Sequence, residues 1–299
     1  MGNKMIKACL IWGTGNCFRR YYPHIKLYEI EQEIVVVGIT SNEEQYSMIR
    51  GIPFINKINL GTVKFDYVIV MAEGTSLRNI CKEAEAMGIS SDIIVPIKVM
   101  SLPGFDFEKY KQIKQNPPTI ISPNCWGGIT YNALQLEFTS PYINMFETHE
   151  DYLKMLGNLT YYLNCELEFV EMIYEKELGR EYPIARLGDV KIYLNHYYSF
   201  EEAKASWDRR IDRINLNNTI IMFYDEQPEL IKEFMKLNFE KKICFSPCFI
   251  DDSRVITLDY KKKAPNKRFS EITFDAARGE IYDVFELILY NKMVQVSFF

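Results

Sequence analysis

The sequence lacks any apolar run close to the roughly 18 residues that a helix needs to cross a bilayer. It also lacks a strong charge of either sign, since 35 basic residues face 40 acidic ones and the net charge is −5. This balance argues against nucleic acid as a partner, and we expect no transmembrane segment. The basic run at residues 261–263 is interpreted as part of a solvated loop beside Pro265.

A disulfide framework is also lacking. The seven cysteines are odd in number and scattered, and several lie inside apolar runs. That pattern is typical of reduced thiols in a cytosol. The start of the chain leads into a short apolar run that ends at Gly13, which indicates a first strand and not a signal peptide. We therefore expect a cytoplasmic protein.

Four apolar runs in the first third of the chain alternate with stretches of helical spacing. Continuous apolar runs are typical of parallel strands that helices cover on both faces. We predict a Rossmann-like domain over residues 1–117, ending near the Pro117-Pro118 pair. The predicted strands are residues 8–12, 34–40, 67–72 and 93–96, and residues 75–87 are predicted to be helical.

A second alternation predicts a second α/β domain over residues 118–299, with a mostly parallel or mixed sheet. Residues 167–187 suggest a hairpin. Residues 148–164 predict one helix that begins with a capping box formed by Thr148 and Asp151. The remaining predicted strands are residues 119–122, 190–195, 219–224, 243–245 and 255–258.

The pair Gly13 and Gly15 follows the first strand, as in dinucleotide-binding domains, where glycines bring the backbone close to a pyrophosphate. A nucleotide or nucleotide-sugar could bind there. Phe18 stands in place of the third glycine, no acidic residue ends the second strand, and Pro23 is expected to interrupt the first helix early. A tight turn without a ligand is the simpler interpretation.

Ligands of open α/β sheets bind beyond the carboxyl ends of the strands. In the second domain this rule selects the turns at residues 122–128, 196–199, 225–227 and 246–248. If the four preceding strands are parallel to one another, these turns share one edge of the sheet. That edge would then carry a thiol, an imidazole and carboxylates.

Three kinds of chemistry are open at this edge. Cys125 and His196 can form a nucleophile–base pair, although free cysteines are often inert. The turn with Asn124, Trp126, Gly127 and Gly128 can instead cradle a phosphate or an oxyanion. Asp225 can bind hydroxyls or act as a base, or it can simply cap the next helix. The cysteine spacing is poor for zinc, and we expect no metal.

A helix with a clear apolar face is predicted to begin at Phe200, behind a capping box of Ser199 and Glu202. At about 100° per residue, Arg210 lies on the flank of the apolar face. A partly buried Arg210 would need an anionic partner or ligand. Asn215, just beyond this helix, is a further candidate for binding substrate.

Three stretches together carry a resemblance to a known family: "ISPNCWGGITYNALQLEFTSPYINMF", "YPIARLGDVKIYLNHYYSFEEAKASWDRRIDRIN" and "TIIMFYD". Over residues 119–260 the chain resembles an uncharacterised bacterial family whose members are labelled exopolysaccharide biosynthesis proteins. Pro123 departs from the Asn expected in that family's pattern. The first third loosely resembles the small Rossmann-like domain that precedes sugar-modifying enzymes. The resemblance implies a role in capsule or exopolysaccharide assembly.

The first hypothesis is a transferase that acts on an activated sugar or a glycan intermediate, with His196 as the proton-transfer group. The second is a non-catalytic protein that binds a nucleotide-sugar or an assembly partner. The third, an NAD(P)-dependent oxidoreductase, is disfavoured by the incomplete glycine pattern. An oligomer is compatible with all three hypotheses.

Overall fold

The computed structural model describes residues 5–43, 47–252, 254–258 and 265–296. The chain forms two compact units, Met1–Gln115 and Asn116–Phe299. Each unit combines a parallel sheet with helices, so the predicted α/β class is confirmed. The basic run at residues 261–263 lies outside the described residues. Within the described part of the chain, no helix has the length and apolar character to cross a membrane.

The first unit contains a four-stranded parallel sheet whose strands match the four predicted apolar runs. Its strands are β1 (Lys7–Trp12), β2 (Ile34–Thr40), β5 (Tyr67–Val70) and β6 (Ile94–Pro96), in the spatial order β2-β1-β5-β6. The strands β3 (Met48–Ile49) and β4 (Ile52–Pro53) form a short antiparallel pair. Because the strand order reverses beside β1, a crevice opens at the carboxyl ends of β1 and β5.

The helices of the first unit are α1 (Asn16–Ile30), α2 (Gly74–Ala86), α3 (Ile97–Met100) and α4 (Phe107–Gln115). Pro23 lies inside α1, so the expectation that it interrupts the helix early is wrong. A proline removes one backbone hydrogen bond from a helix. The buried side chains of Phe18 and Ile25, one on each side of Pro23, pack α1 down and offset that loss.

The second unit contains two separate sheets. The strands β7 (Thr119–Ile121), β11 (Thr219–Tyr224), β12 (Lys241–Ser246) and β13 (Val255–Thr257) are all parallel, in the order β13-β12-β11-β7. The strands β8 (Leu167–Glu175), β9 (Arg180–Leu187) and β10 (Val190–Tyr193) form an antiparallel sheet, which includes the predicted hairpin. The turn that carries His196 therefore follows a strand of a different sheet, and the premise of four parallel strands is wrong.

The helices of the second unit are α5 (Trp126–Ala133), α6 (His149–Gly157), α7 (Leu159–Leu163), α8 (Phe200–Ile211), α9 (Pro228–Lys236), α10 (Phe269–Ala277) and α11 (Val284–Tyr290). The single helix predicted over residues 148–164 is two helices, because Asn158 leaves the helical conformation between them. The predicted caps are present: the hydroxyl of Thr148 accepts from Asp151 N, and that of Ser199 accepts from Glu202 N.

Tyr152 fixes α6 to the parallel sheet. Its hydroxyl lies 3.0 Å from the carbonyl oxygen of Ile121 and 2.8 Å from that of Met222, in two neighbouring strands. The ring itself is fully buried and stacks near Phe223. Because α6 begins at His149, this anchor also places the His149 imidazole at the carboxyl end of β11.

Candidate active site

The turn after β7 is fixed by its own side chains. Ser122 Oγ donates to the carbonyl of Asn124 at 2.8 Å and accepts the N–H of Gly127 at 3.0 Å. Asn124 Oδ1 accepts the N–H of Trp126 at 2.9 Å. These bonds place Cys125 at the N-cap of α5, just beyond the carboxyl end of β7.

The two glycines of this turn serve packing. Both are buried, and a Cβ on Gly127 would lie 3.2 Å from the side chains of Ile120 and Ser122. A Cβ on Gly128 would lie 3.5 Å from Ile143, which is an ordinary contact. Gly127 therefore allows α5 to approach β7 closely. The backbone amides of Trp126 and Gly127 already donate to side chains of the turn. These two amides are therefore not free to bind a phosphate or an oxyanion, which weakens the hypothesis of a phosphate cradle.

His196 reaches the same turn from the antiparallel sheet. Its Nε2 lies 3.1 Å from the Sγ of Cys125, across 71 residues of sequence. The thiol is partly exposed and the imidazole is exposed, so both are accessible to a ligand. The predicted pair is thus brought within contact, although the sheets that carry its two members differ.

A short connecting segment, residues 143–147, explains this approach. Phe146 exchanges two backbone hydrogen bonds of 2.9 Å with Tyr193 of β10. The N–H of Glu147 then donates to the carbonyl of Pro123 at 3.1 Å. The segment therefore bonds to the strand that precedes His196 and to the turn that carries Cys125, which aligns the two elements.

Both members of the pair are held neutral. Burial raises the pKa of the Cys125 thiol above its ordinary value. Partial burial, together with the charge of Arg180, lowers the pKa of the His196 imidazole. At neutral pH the pair is therefore a thiol beside an uncharged imidazole, and not a preformed thiolate–imidazolium pair. Such a pair can react when the imidazole takes the thiol proton during attack.

A second imidazole–carboxylate pair lies at the end of β11. His149 Nδ1 contacts Asp225 Oδ2, and the other carboxylate oxygen of Asp225 accepts the N–H of Gln227 at 2.7 Å. Burial alone would raise the pKa of Asp225, but the hydrogen bonds from His149 and from the backbone lower it overall. Asp225 therefore both caps the turn before α9 and orients His149.

Tyr224 packs against the second pair. The His149 ring packs edge-on against it, with ring centroids 4.8 Å apart. Burial raises the pKa of the Tyr224 phenol, the nearby Asn124 side chain opposes the rise, and the charge of Asp225 adds to it. Tyr224 therefore adjoins both His149 and Asn124, the residue before Cys125.

Arg210 contacts Tyr197, the residue that follows His196. The guanidinium is buried at 6% exposure, and its Nη1 donates to the hydroxyl of Tyr197 at 2.9 Å. It also donates to the carbonyl of Ile143 at 3.4 Å and lies over the ring of Phe138. Within the described part of the chain no carboxylate pairs with Arg210. The expected anionic partner is therefore replaced by neutral oxygens and an aromatic face.

Two further predicted residues do not face the site. Trp126 is fully buried and packs near Phe245. Asn215 precedes β11, and its N–H donates to Thr119, the first residue of β7, at 2.7 Å. It therefore lies at the amino ends of the parallel strands, opposite the edge that carries Cys125. Both residues stabilise the fold.

In the first unit, Gly13 and Gly15 both line a cleft but differ in their structural roles. Gly13 has φ +116°, and a Cβ there would lie 3.0 Å from the carbonyl oxygen of Met71. Gly15 is the N-cap of α1 in an ordinary extended conformation, and nothing lies within 4 Å of a Cβ built on it. The fold therefore requires a glycine at position 13, whereas it would accept a side chain at position 15.

His149 and Tyr224 are site residues that the sequence did not reveal, and Glu147 is a buried acid that it did not reveal either. A signal for His149 existed, because the Thr148 cap places it at the first position of a helix. Glu147 is 4% exposed, and neither of its carboxylate oxygens meets a hydrogen-bond donor among the described residues. Burial, with a smaller effect of Asp151, raises its pKa well above the ordinary value, so the group is held as a neutral acid.

The fold and the site define an α/β protein with a thiol–imidazole pair beside the edge of a parallel sheet. The model of a family described as "Domain of unknown function (DUF1919)" matches residues 97–291, and the chain belongs to that family. A second model, described as "C2185-like, N-terminal", matches residues 5–95. An uncharacterized protein of Haemophilus influenzae (strain ATCC 51907 / DSM 11121 / KW20 / Rd) is 34% identical over 131 residues. That similarity covers 43% of this chain, and the chain spans 61% of the relative.

Proposed function

We propose that the second unit is a cytoplasmic transferase of surface-polysaccharide assembly, acting on an activated sugar or a glycan intermediate by acyl transfer through Cys125. The observation that carries the proposal is the 3.1 Å approach of Cys125 Sγ to His196 Nε2 at an accessible position. The family resemblance over residues 119–260 supports the glycan setting. All seven cysteines, each in the described part of the chain, are free thiols, which supports a reducing compartment.

In the first step Cys125 Sγ attacks the carbonyl carbon of an activated acyl donor. The S–C bond forms, the thiol proton passes to His196 Nε2, and the leaving group departs with that proton. The product is a thioester on Cys125. Because the resting pair is neutral, proton removal and attack occur together, as in hydroxyl nucleophiles that a histidine activates.

In the second step a sugar hydroxyl attacks the thioester carbonyl. The O–C bond forms, the S–C bond breaks, and the hydroxyl proton ends on the Cys125 sulfur. His149 is the base that we assign to the acceptor, because Asp225 binds its Nδ1 and leaves Nε2 on the opposite side of the ring. A buried carboxylate that binds an imidazole in this way fixes its tautomer and the direction of its ring.

The negative charge that develops on the carbonyl oxygen needs hydrogen-bond donors near Cys125. Two backbone amides of the turn donate to Ser122 and Asn124, so side chains are the better candidates. Asn124 Oδ1 is fixed by the N–H of Trp126, whereas Asn124 Nδ2 is buried and meets no acceptor among the described residues. We assign Asn124 Nδ2, together with the Tyr224 hydroxyl, to this role.

Transfer of a radiolabelled acetyl group to sugars tests the proposal. The whole protein is incubated with an activated acetyl donor and a panel of nucleotide-sugars and lipid-linked sugars. We expect transfer that Cys125→Ser and His196→Gln each reduce by at least about 100-fold, the usual size of a nucleophile or base contribution. Cys248→Ser is the matched control, since this thiol is exposed after β12 and has no imidazole partner among the described residues.

A non-catalytic binding protein is the second candidate, and the raised pKa of Cys125 favours it, because many catalytic cysteines have a lowered pKa. In that case a sugar ligand binds at the edge and is recovered unchanged. Transfer that survives in both Cys125→Ser and His196→Gln would remove the proposed mechanism.

A further inference from the structure

The turn that carries His196, residues 194–199, is held from two sides. On one side the hydroxyl of Tyr197 accepts from the buried Arg210 at 2.9 Å. On the other side Arg180, the first residue of β9, reaches the turn from the antiparallel sheet. Arg180 differs from Arg210 in that its charge acts on the His196 imidazole.

Arg180 contacts the turn at two points, one on each side of His196. Its Nη2 donates to the backbone carbonyl of Asn195, and its Cζ lies 4.4 Å from the centre of the Tyr198 ring. A planar guanidinium that donates along its edge and stacks on its face has little freedom to move. The two contacts therefore fix both ends of the segment that holds the imidazole 3.1 Å from the Sγ of Cys125.

The charge of Arg180 is not neutralised among the described residues. No carboxylate in this part of the chain forms an ion pair with it, and its Nη1 is buried and meets no acceptor there. Glu175, its cross-strand neighbour, accepts the hydroxyl of Tyr182 at 3.2 Å instead. An arginine that only stabilises a fold usually has its buried donors satisfied, and a carboxylate is its common partner. The uncompensated charge of Arg180 therefore needs an explanation beyond the anchoring of the turn.

The position of this charge beside the imidazole supplies that explanation. Partial burial of the ring and, after it, the charge of Arg180 lower the pKa of His196. The elements around the ring carry further titratable groups: the Cys125 thiol, the Glu147 acid, and the carboxylates of Glu201 and Glu202 in the first turn of α8. The thiol and the Glu147 acid are held neutral, and the two exposed carboxylates form no ion pair with the imidazole among the described residues. The charge of Arg180 is therefore not offset at the ring.

We propose that Arg180 is a positioning residue for the proposed base: it holds the turn that presents His196 to Cys125, and its uncompensated charge disfavours a second positive charge on the imidazole. This inference rests on the role of His196 in the acyl transfer proposed above. An uncharged imidazole takes the thiol proton, whereas an imidazolium cannot. Arg180 therefore extends the range in which His196 is a competent base towards lower pH.

An NMR titration of the histidine rings in the whole protein tests the effect of this charge without any need for activity. The chain contains three histidines, so the His196 signal is identified by its loss in His196→Gln. We expect the native pKa of His196 to lie below the ordinary value of about 6.5, and to rise by at least ~0.5 unit in Arg180→Gln. Arg180→Lys keeps the charge and should restore most of the native value. Arg180→Met provides the same test if Arg180→Gln fails to fold, and an unchanged pKa in the uncharged variant would overturn the proposal.

Arg186→Gln is the matched control, because it removes one positive charge from the same strand. The Arg186 guanidinium is exposed and already donates to the carboxylate of Glu168, so its charge is offset where it lies. The pKa of His196 should therefore change by less than ~0.1 unit in this variant. An increase equal to that in Arg180→Gln would show a general effect of net charge and would contradict a specific role of Arg180.

The pH dependence of the acyl transfer connects Arg180 to the reaction. The pH at which the rate falls to half on the acid side should move upwards in Arg180→Gln by the same amount as the NMR pKa of His196, and should return in Arg180→Lys. A slower transfer in Arg180→Gln with this midpoint unmoved would show a merely structural role and overturn the proposal. If no form of the protein transfers an acyl group but the pKa of His196 still rises in Arg180→Gln, the proposed function fails while the effect of Arg180 on the imidazole is supported.

Discussion

Alkylation of Cys125 by iodoacetamide reports the charge state of the thiol–imidazole pair, because the reagent reacts with the thiolate. Burial raises the pKa of this thiol above the ordinary value of about 8.5, so less than ~3% of it is ionised at pH 7. Below its pKa, the thiolate fraction increases about tenfold per pH unit. We therefore expect the alkylation rate to increase about tenfold per unit between pH 6 and 8.

The rate is measured by quenching at intervals and mapping the alkylated peptide that contains Cys125, in a Cys248→Ser background that removes an exposed competing thiol. A rate that is nearly constant between pH 5 and 7 would refute the reasoning, because it requires a thiolate–imidazolium pair.

The His196→Gln variant tests the charge state independently, through the direction in which the pKa of Cys125 changes. In a neutral pair the imidazole accepts the thiol proton and stabilises the thiol, so its removal should leave the apparent pKa of Cys125 unchanged or slightly lower. In an ion pair, loss of the imidazolium would raise that pKa. An apparent pKa that increases by one unit or more in His196→Gln would also contradict the neutral pair.

Three further predictions concern stability, each measured by urea unfolding. Asp225→Asn should lower the free energy of unfolding by about 2 kcal/mol at pH 7. Because the folded-state pKa of Asp225 lies below its ordinary value, this difference should disappear as the pH falls through that lower pKa. A constant difference down to pH 2 would contradict the assignment. Glu147→Gln should stabilise the protein at pH 8 and change its stability little at pH 4. The reason is that a carboxyl whose pKa is raised in the fold loses its favourable contribution as the pH rises. A loss of stability at pH 8 would show instead that a partner binds the charged form. Arg210→Met should cost about 2–3 kcal/mol because the buried hydroxyl of Tyr197 loses its donor, whereas the exposed Arg209→Met should stay within ~0.5 kcal/mol.

The strands were predictable because buried parallel strands are continuous apolar runs that few other structures produce. The position of Cys125 beyond the end of β7 followed from the same rule. The placement of His196 did not, because the antiparallel sheet that carries it touches the turn through Phe146 and Glu147, in a segment without regular secondary structure. A pairing between sheets of this kind has no periodic signature in sequence.

The helical spacing of α8 placed Arg210 on the flank of the apolar face, and the side chain is in fact buried. Its partners could not be predicted, because Tyr197 and Ile143 come from loops whose packing depends on tertiary contacts. The choice of Asn215 as a site residue could have been avoided from the sequence. Asn215 precedes a parallel strand, and such a residue lies at the opposite edge of the sheet from a residue that follows a strand. His149 was missed because Asp225, its polar partner among the described residues, is 76 residues away in sequence.

The central claim is that Cys125 is a nucleophile activated by His196, and trapping of an acyl-enzyme tests it most directly. The protein is mixed with p-nitrophenyl acetate, quenched in acid, and digested for peptide mass analysis. The account predicts acetyl on the peptide with Cys125, slower acetylation in His196→Gln, and little acetyl on Cys248. Equal acetylation of both cysteines, unaffected by His196→Gln, would contradict it.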